Sequence, residues 1–152
     1  MKPVTKSILF LQILLLSFGC SDNEPEEQID FTIKYGSECG WCAGQEYITI
    51  SNLKVEYTRN IPCGENEGTT INSRNLSSEE WETITSSFDY SLYKTLEYND
   101  CNVCADGCDE IIQITQNAST HELRYSFSDE VEGMENLREI LSEIMDEMRE
   151  LN

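Results

Sequence analysis

The cysteines of this chain have a spacing that would allow several kinds of sulfur chemistry. Cys39-x-x-Cys42 and Cys101-x-x-Cys104 are two pairs with the same spacing, and Cys63 and Cys108 stand apart from them. Such a set can form disulfides, can bind zinc through four thiolates, or can carry out thiol–disulfide exchange. The compartment decides among these chemistries, because disulfides persist where the surroundings are oxidising.

The N-terminus indicates export. Lys2 and Lys6 give a short positive region, and an apolar run over 8–16, broken only by Gln12, is too short to span a bilayer. The run ends in "LSFGC", which resembles the lipobox of a bacterial lipoprotein signal peptide, with Gly19 before Cys20. The resemblance implies that residues 1–19 are a signal peptide and that Cys20 is the acylated N-terminus of the mature chain.

The segment behind Cys20 is acidic and has no aromatic residue. Residues 20–28 are therefore predicted to be a solvated tether. Ser21, Asp22 and Glu24 also resemble the export signal of Bacteroidota-type surface lipoproteins, although an acid-rich linker has the same composition. The expected partner is a membrane, contacted through the lipid anchor, and the expected location is the outer membrane, on its periplasmic side or at the cell surface.

The oxidising compartment favours disulfides for the cysteines that remain after Cys20. These are even in number and lie in a small domain: Cys39, Cys42, Cys63, Cys101, Cys104 and Cys108. A zinc site would leave Cys63 and Cys108 unexplained. A thioredoxin-like centre would need a helix after Cys42, where "YITI" reads as a strand. Sequence cannot choose among the pairings that six cysteines allow.

Hydrophobic periodicity predicts the strands and helices that position these cysteines. Alternation of apolar and polar residues predicts five strands, at 29–35, 46–51, 53–59, 111–115 and 121–127. "GENEGTT", residues 64–70, reads as a turn-rich loop. The first and third strands end, and the second and fourth begin, near cysteines. The cysteine-bearing loops are therefore expected to meet at one end of the sheet if the fourth strand begins there.

Two helices complete the pattern. Ser77 and Glu80 form a capping box, and Leu76 and Trp81 a hydrophobic staple, for a helix to about Phe88, with a further turn over 90–96. The last helix carries one apolar stripe: Met134, Leu137, Ile140, Leu141, Ile144, Met145, Met148 and Leu151. We predict a single disulfide-braced α+β domain over 29–152, order βββαββα, with one antiparallel sheet and two helices on one face. This order resembles uncharacterised bacterial lipoprotein domains of unknown function.

The net charge and the lack of catalytic motifs reduce the number of functions that the sequence allows. Cleavage of the signal peptide leaves eight basic and 29 acidic residues, a net charge of −21, which disfavours nucleic acid and anionic membrane surfaces as partners. No nucleophile motif or phosphate loop is present. His121, the only histidine, is expected to be a solvated turn residue.

The loop "NDCNVCADGCDE" contains oxygen-bearing side chains that could bind a metal ion. Its oxygen ligands for calcium would be Asp100, Asn102, Asp106 and Asp109, but it lacks the pattern of an EF-hand, so a solvated acidic loop is expected. We therefore expect no catalytic residue, metal or cofactor. The predicted function is a non-catalytic binding or interaction module with a protein partner in the cell envelope. The alternative is a redox or zinc protein that uses the Cys39/Cys42 and Cys101/Cys104 pairs.

Overall fold

The computed structural model describes residues 31–151. The predicted signal peptide, the acylated Cys20, the acidic tether and the first two residues of the first predicted strand lie outside this range. Within it, no helix is both long enough and apolar enough to cross a membrane.

One antiparallel sheet of six strands organises the domain. In chain order the strands are β1 (Phe31–Cys39), β2 (Gly44–Ile50), β3 (Lys54–Ile61), β4 (Gly68–Asn75), β5 (Cys108–Gln116) and β6 (Ser119–Tyr125). Their order across the sheet is β4-β3-β2-β1-β5-β6. The helices are α1 (Ser78–Ser86), α2 (Tyr90–Tyr93) and α3 (Glu135–Glu150), with a 3-10 turn at Asn102–Ala105. The predicted α+β class with a single antiparallel sheet is confirmed.

The strand count differs from the predicted five. β4 begins inside the segment that was expected to be a turn-rich loop, and it pairs with β3 from Ile61↔Gly68 to Lys54↔Asn75. Backbone hydrogen bonds to β3 hold this edge strand, and most of its side chains are exposed, so alternation of buried residues gives no signal there.

The hydrophobic core lies between one face of the sheet and the helices. Alternate residues of β1, β2, β3, β5 and β6 supply the sheet side, among them Ile33, Ile48 and Ile112, all fully buried. Two apolar residues expected on this face are not part of it. Leu53 is 73% exposed because it lies in the short turn before β3, and Phe127 is 51% exposed because β6 ends at Tyr125.

Capping and apolar spacing place the helices as predicted. Ser77 and Glu80 form the capping box that starts α1. The stripe of α3 packs onto the sheet through five buried residues: Leu137, Leu141, Ile144, Met145 and Met148. Leu151, the last residue of the predicted stripe, is exposed because it follows the end of the helix. The short helix α2 is the expected further turn. Its Tyr93 is fully buried, and the Tyr93 hydroxyl donates to the His121 carbonyl oxygen (2.6 Å) and lies 3.1 Å from the Ile112 carbonyl oxygen.

Candidate functional site

Three disulfides gather at the end of the sheet where β1 ends and β5 begins. We name them the strand disulfide (Cys39–Cys108), the turn disulfide (Cys42–Cys63) and the local disulfide (Cys101–Cys104). The prediction of disulfide bonds is confirmed. The two pairs of equal spacing differ, because Cys39 and Cys42 are each bonded to a distant cysteine, whereas Cys101 and Cys104 are bonded to each other.

The strand disulfide follows from sheet register. β1 and β5 are antiparallel neighbours, and their pairing runs from Phe31↔Gln116 to Cys39↔Cys108. The last residue of β1 therefore faces the first residue of β5, with their Cα atoms 4.0 Å apart. This register brings the Cys101–Cys108 loop against the β1–β2 turn, as expected if the fourth predicted strand begins at that end.

We name this region the disulfide end and define it by three segments, 40–43, 61–67 and 100–107. The β1–β2 turn is held there by close backbone contact. The Gly40 amide donates to the Gly107 carbonyl oxygen at 2.9 Å. A Cβ atom on Gly40 would come within 2.9 Å of both the Asp106 Cα and the Val103 carbonyl oxygen. Only glycine fits at position 40 without moving the neighbouring loop.

Trp41 projects from this turn. It is 81% exposed, more than any other large apolar side chain in residues 31–151. Its φ angle is 57°, in the left-handed region that bulky residues rarely adopt. The strand and turn disulfides bond the residues on either side of the Gly40–Trp41 dipeptide, Cys39 and Cys42. The turn therefore presents an indole to solvent from a backbone that is cross-linked on both sides.

The charge of the disulfide end is negative. Its three segments carry four carboxylates, Glu65, Glu67, Asp100 and Asp106, and contain no Lys, Arg or His. The exposed indole thus stands among acidic loops. Such a surface repels phosphate and sulfate groups and is suited to neutral or positively charged ones.

Asp109 anchors the 3-10 turn under this surface. Its fully buried carboxylate accepts hydrogen bonds from the Asn102 backbone amide (2.8 Å) and side-chain amide (2.9 Å), and it pairs with Arg124 at 3.4 Å. Burial favours a higher pKa for Asp109, but the hydrogen bonds from Asn102 and Val103 and the pairing with Arg124 outweigh it and hold the pKa below its ordinary value.

The residues considered as possible metal ligands or bases make structural contacts. Asp109 is engaged by protein donors, and Asp106 ends the 3-10 turn in a left-handed conformation. In the part of the chain that the structure describes, no group of three or more His, Cys, Asp or Glu is placed to hold a metal ion. His121 lies within β6 and not in a turn. Its Nε2 is 2.9 Å from the Leu96 carbonyl oxygen, and its ring packs edge-on against Tyr93.

A second polar cluster lies between α3 and the sheet, beside a cavity of about 620 Å³. Glu110 is buried and forms a two-point ion pair with Arg138, whose Nε is 2.8 Å from the carboxylate. Burial, reinforced by Glu110, raises the pKa of Tyr35 and of Tyr125. Arg138 also donates to the carbonyl oxygens of Phe127 and Asp129, so this cluster holds the loop between β6 and α3.

Sequence reasoning placed the cysteines at one end of the sheet but did not select Trp41 or the Glu110–Arg138 pair. The signal for Trp41 is its position, since a tryptophan between a glycine and a cysteine in a four-residue turn has little neighbouring chain to bury it. Glu110 directly precedes the apolar run "IIQIT", and Arg138 lies on α3 between apolar positions. A buried partner for each was therefore foreseeable.

No protein-family model matches this chain, and no curated protein is similar to it. The candidate site therefore rests on the geometry of the disulfide end, where an exposed Trp41 lies between two cross-linked cysteines, in a region whose three segments carry four carboxylates.

Proposed function

We propose that this chain is a membrane-anchored envelope lipoprotein whose folded domain is a non-catalytic binding module, and that the disulfide end is its contact surface. The observation that carries the proposal is Trp41, an 81% exposed indole in a left-handed backbone conformation. Tryptophan is enriched among the residues that dominate the energy of protein interfaces.

Neither property of Trp41 helps the domain to fold. An exposed indole gains nothing from burial, and a left-handed conformation costs a non-glycine residue about 1 to 3 kcal/mol. Cross-linking on both sides restrains the backbone that carries the indole before a partner arrives, which lowers the entropy lost on binding. A contact surface explains why a costly conformation would present a large apolar side chain to solvent.

The charge of the disulfide end points to the class of partner. With carboxylates at Glu65, Glu67, Asp100 and Asp106, the surface suits a neutral or basic protein region with a pocket for an aromatic ring. Nucleic acid and anionic lipid headgroups would be repelled. The partner we propose is accordingly a protein of the cell envelope.

The membrane anchor is supported by sequence alone. A positive N-terminus, a short apolar run and "LSFGC" support a signal peptide over residues 1–19 and acylation of Cys20. The location that we propose for the domain is the outer membrane, on the periplasmic side or the cell surface. An exported protein also meets the oxidising conditions in which disulfides persist.

Polar groups outside the disulfide end support a binding role over catalysis. Glu110 and Asp109 are both buried, and each is committed to an arginine, Arg138 and Arg124. A redox or zinc centre that uses Cys39 and Cys42 as a pair has less support, because the sulfur atoms of these two cysteines are each bonded elsewhere. Only the local disulfide keeps both cysteines of one pair together.

Site-specific photo-crosslinking in the cells that produce the full-length protein tests the proposal. A photoreactive amino acid replaces Ala43, exposed beside Trp41, or Ala118, exposed in the β5–β6 turn at the opposite end of the sheet. We expect a discrete protein adduct from position 43 only, and we expect it to disappear when Trp41→Asn is introduced. Asparagine tolerates the left-handed conformation, so the variant retains the turn.

Two outcomes would count against the proposal. Equal adducts from positions 43 and 118 would show that the disulfide end is not a specific surface. An adduct at position 43 that survives Trp41→Asn would show that the indole does not anchor the contact. Thermal unfolding of Trp41→Asn is the control, and its melting temperature should equal or exceed that of the wild type.

A further inference from the structure

The local disulfide differs from the other two in exposure and span. Cys101 and Cys104 are both exposed, whereas the four cysteines of the strand and turn disulfides are partly buried. The sequence separation is 3 residues for the local disulfide, against 69 and 21 for the others. It joins no separate elements, because both cysteines belong to the same 3-10 turn and its cap.

The loop that carries the local disulfide is held by contacts that do not depend on it. The Asn102 backbone and side-chain amides donate to Asp109, and the Gly107 amide donates to the Asn102 carbonyl oxygen at 2.8 Å. The strand disulfide fixes the start of β5 at Cys108. Opening the local disulfide therefore leaves the loop tied at Asn102 and at Cys108.

We propose that Cys101–Cys104 is a redox-active disulfide that exchanges with a dithiol while the other two disulfides stay closed. One thiolate of the dithiol attacks one sulfur of the pair, forming a mixed disulfide and releasing a cysteine thiolate, which takes up a proton. The second thiol of the reductant then displaces the other cysteine. The products are two cysteine thiols and one oxidised dithiol, so two electrons and two protons have passed to the protein.

The charge around the pair sets the class of reductant. Asp100 and Asp106 flank the pair and are exposed, whereas Arg124 is engaged by the buried Asp109 and by Glu38. An anionic thiol is repelled by these carboxylates, whereas a neutral or cationic one is not. The structure therefore assigns the pair to neutral or positively charged dithiols.

Graded reduction of the purified, folded full-length protein tests the order of opening. Dithiothreitol, a neutral dithiol, is applied at increasing concentration, free thiols are alkylated, and the modified peptides are identified by mass spectrometry. We expect Cys101 and Cys104 to be alkylated together at a concentration about tenfold lower than the other cysteines require, with unchanged circular dichroism. Cys101→Ser/Cys104→Ser is the control and should show no thiol in that range.

A second experiment tests the charge assignment, and a third tests the site in cells. Cysteamine should react with the pair faster than mercaptoethanesulfonate by a factor on the order of 10 per thiolate at low ionic strength, and the ratio should approach one in 1 M salt.

Rapid acid quenching of cells followed by alkylation should find a reduced fraction at Cys101 and Cys104 only. Simultaneous opening of all three disulfides, equal rates for the two thiols at low salt, or a fully oxidised pair under every growth condition would each overturn the proposal.

Discussion

Removing the three disulfides one at a time should destabilise the domain to clearly different extents. Each is removed by replacing both of its cysteines with serine, which leaves no unpaired thiol. The strand disulfide closes the longest loop, the turn disulfide a shorter one and the local disulfide the shortest, with sequence separations of 69, 21 and 3 residues. Because a cross-link restricts the unfolded chain more when it closes a longer loop, the loss of stability on removal should be largest for the strand disulfide and smallest for the local disulfide.

The magnitudes follow from those loop lengths. The chain-entropy relation assigns about 4 kcal/mol to the strand disulfide, about 3 kcal/mol to the turn disulfide and about 2 kcal/mol to the local disulfide at 25 °C. A small domain has a total unfolding free energy of about 5 to 15 kcal/mol. Loss of the strand disulfide therefore removes a large share of the stability, and loss of the local disulfide leaves the domain folded.

Urea denaturation followed by circular dichroism measures all three variants. We expect the unfolding midpoint to be lowest without the strand disulfide, intermediate without the turn disulfide and nearest to wild type without the local one. An equal loss from all three removals would refute the loop-length reasoning. A local-disulfide variant that is the least stable would refute it too, and would also show that the 3-10 turn depends on this bond.

Four further predictions concern the core, the anchor and pH. Arg138→Met should lower the free energy of urea unfolding by about 3 to 5 kcal/mol, because it leaves the buried Glu110 carboxylate without its partner. Adding Glu110→Gln should recover part of this loss. Equal stability of the single and double variants would contradict the pairing. Ile144→Asp should unfold the domain by placing a charge in the core, and a wild-type melting temperature would mean that α3 is not core. Cys20→Ala should release the protein from membranes, because acyl chains contribute about 0.8 kcal/mol of membrane binding per buried CH₂. Acylation would be refuted if the variant still fractionates with membranes and the wild type is not labelled by palmitate. The free energy of unfolding should fall as the pH drops below about 4, because the pKa of Asp109 is lower in the folded than in the unfolded chain. The Asp109→Asn variant should lose less stability over that range. Identical pH profiles of stability for the variant and the wild type would contradict the lowered pKa of Asp109.

Periodicity accounts for the parts of the fold that were foreseen. Strands with one buried face, such as β3 and β6, alternate visibly, and the stripe of α3 identifies a helix that packs on the sheet. β4 has no buried side chain to reveal it. It is held by its backbone pairing with β3, a long-range interaction that its own residues do not encode locally.

The disulfide end was foreseen only in outline. Compartment and cysteine number favour disulfides, but pairing depends on the register that sets Cys39 opposite Cys108 across two strands. The exposure of Trp41 depends on a left-handed φ in a turn whose shape is imposed by the Cys101–Cys108 loop packing against Gly40. Both are properties of the assembled sheet, so local sequence patterns do not determine them.

Solvent accessibility of Trp41 in the native envelope tests the binding proposal most directly. Hydroxyl-radical footprinting of native membranes is compared with footprinting of the purified full-length protein, and oxidation of Trp41 is quantified against Phe127, an exposed side chain between β6 and α3. We expect a several-fold decrease of Trp41 oxidation in the native membranes with no change at Phe127. Equal oxidation of Trp41 in the two samples would contradict it.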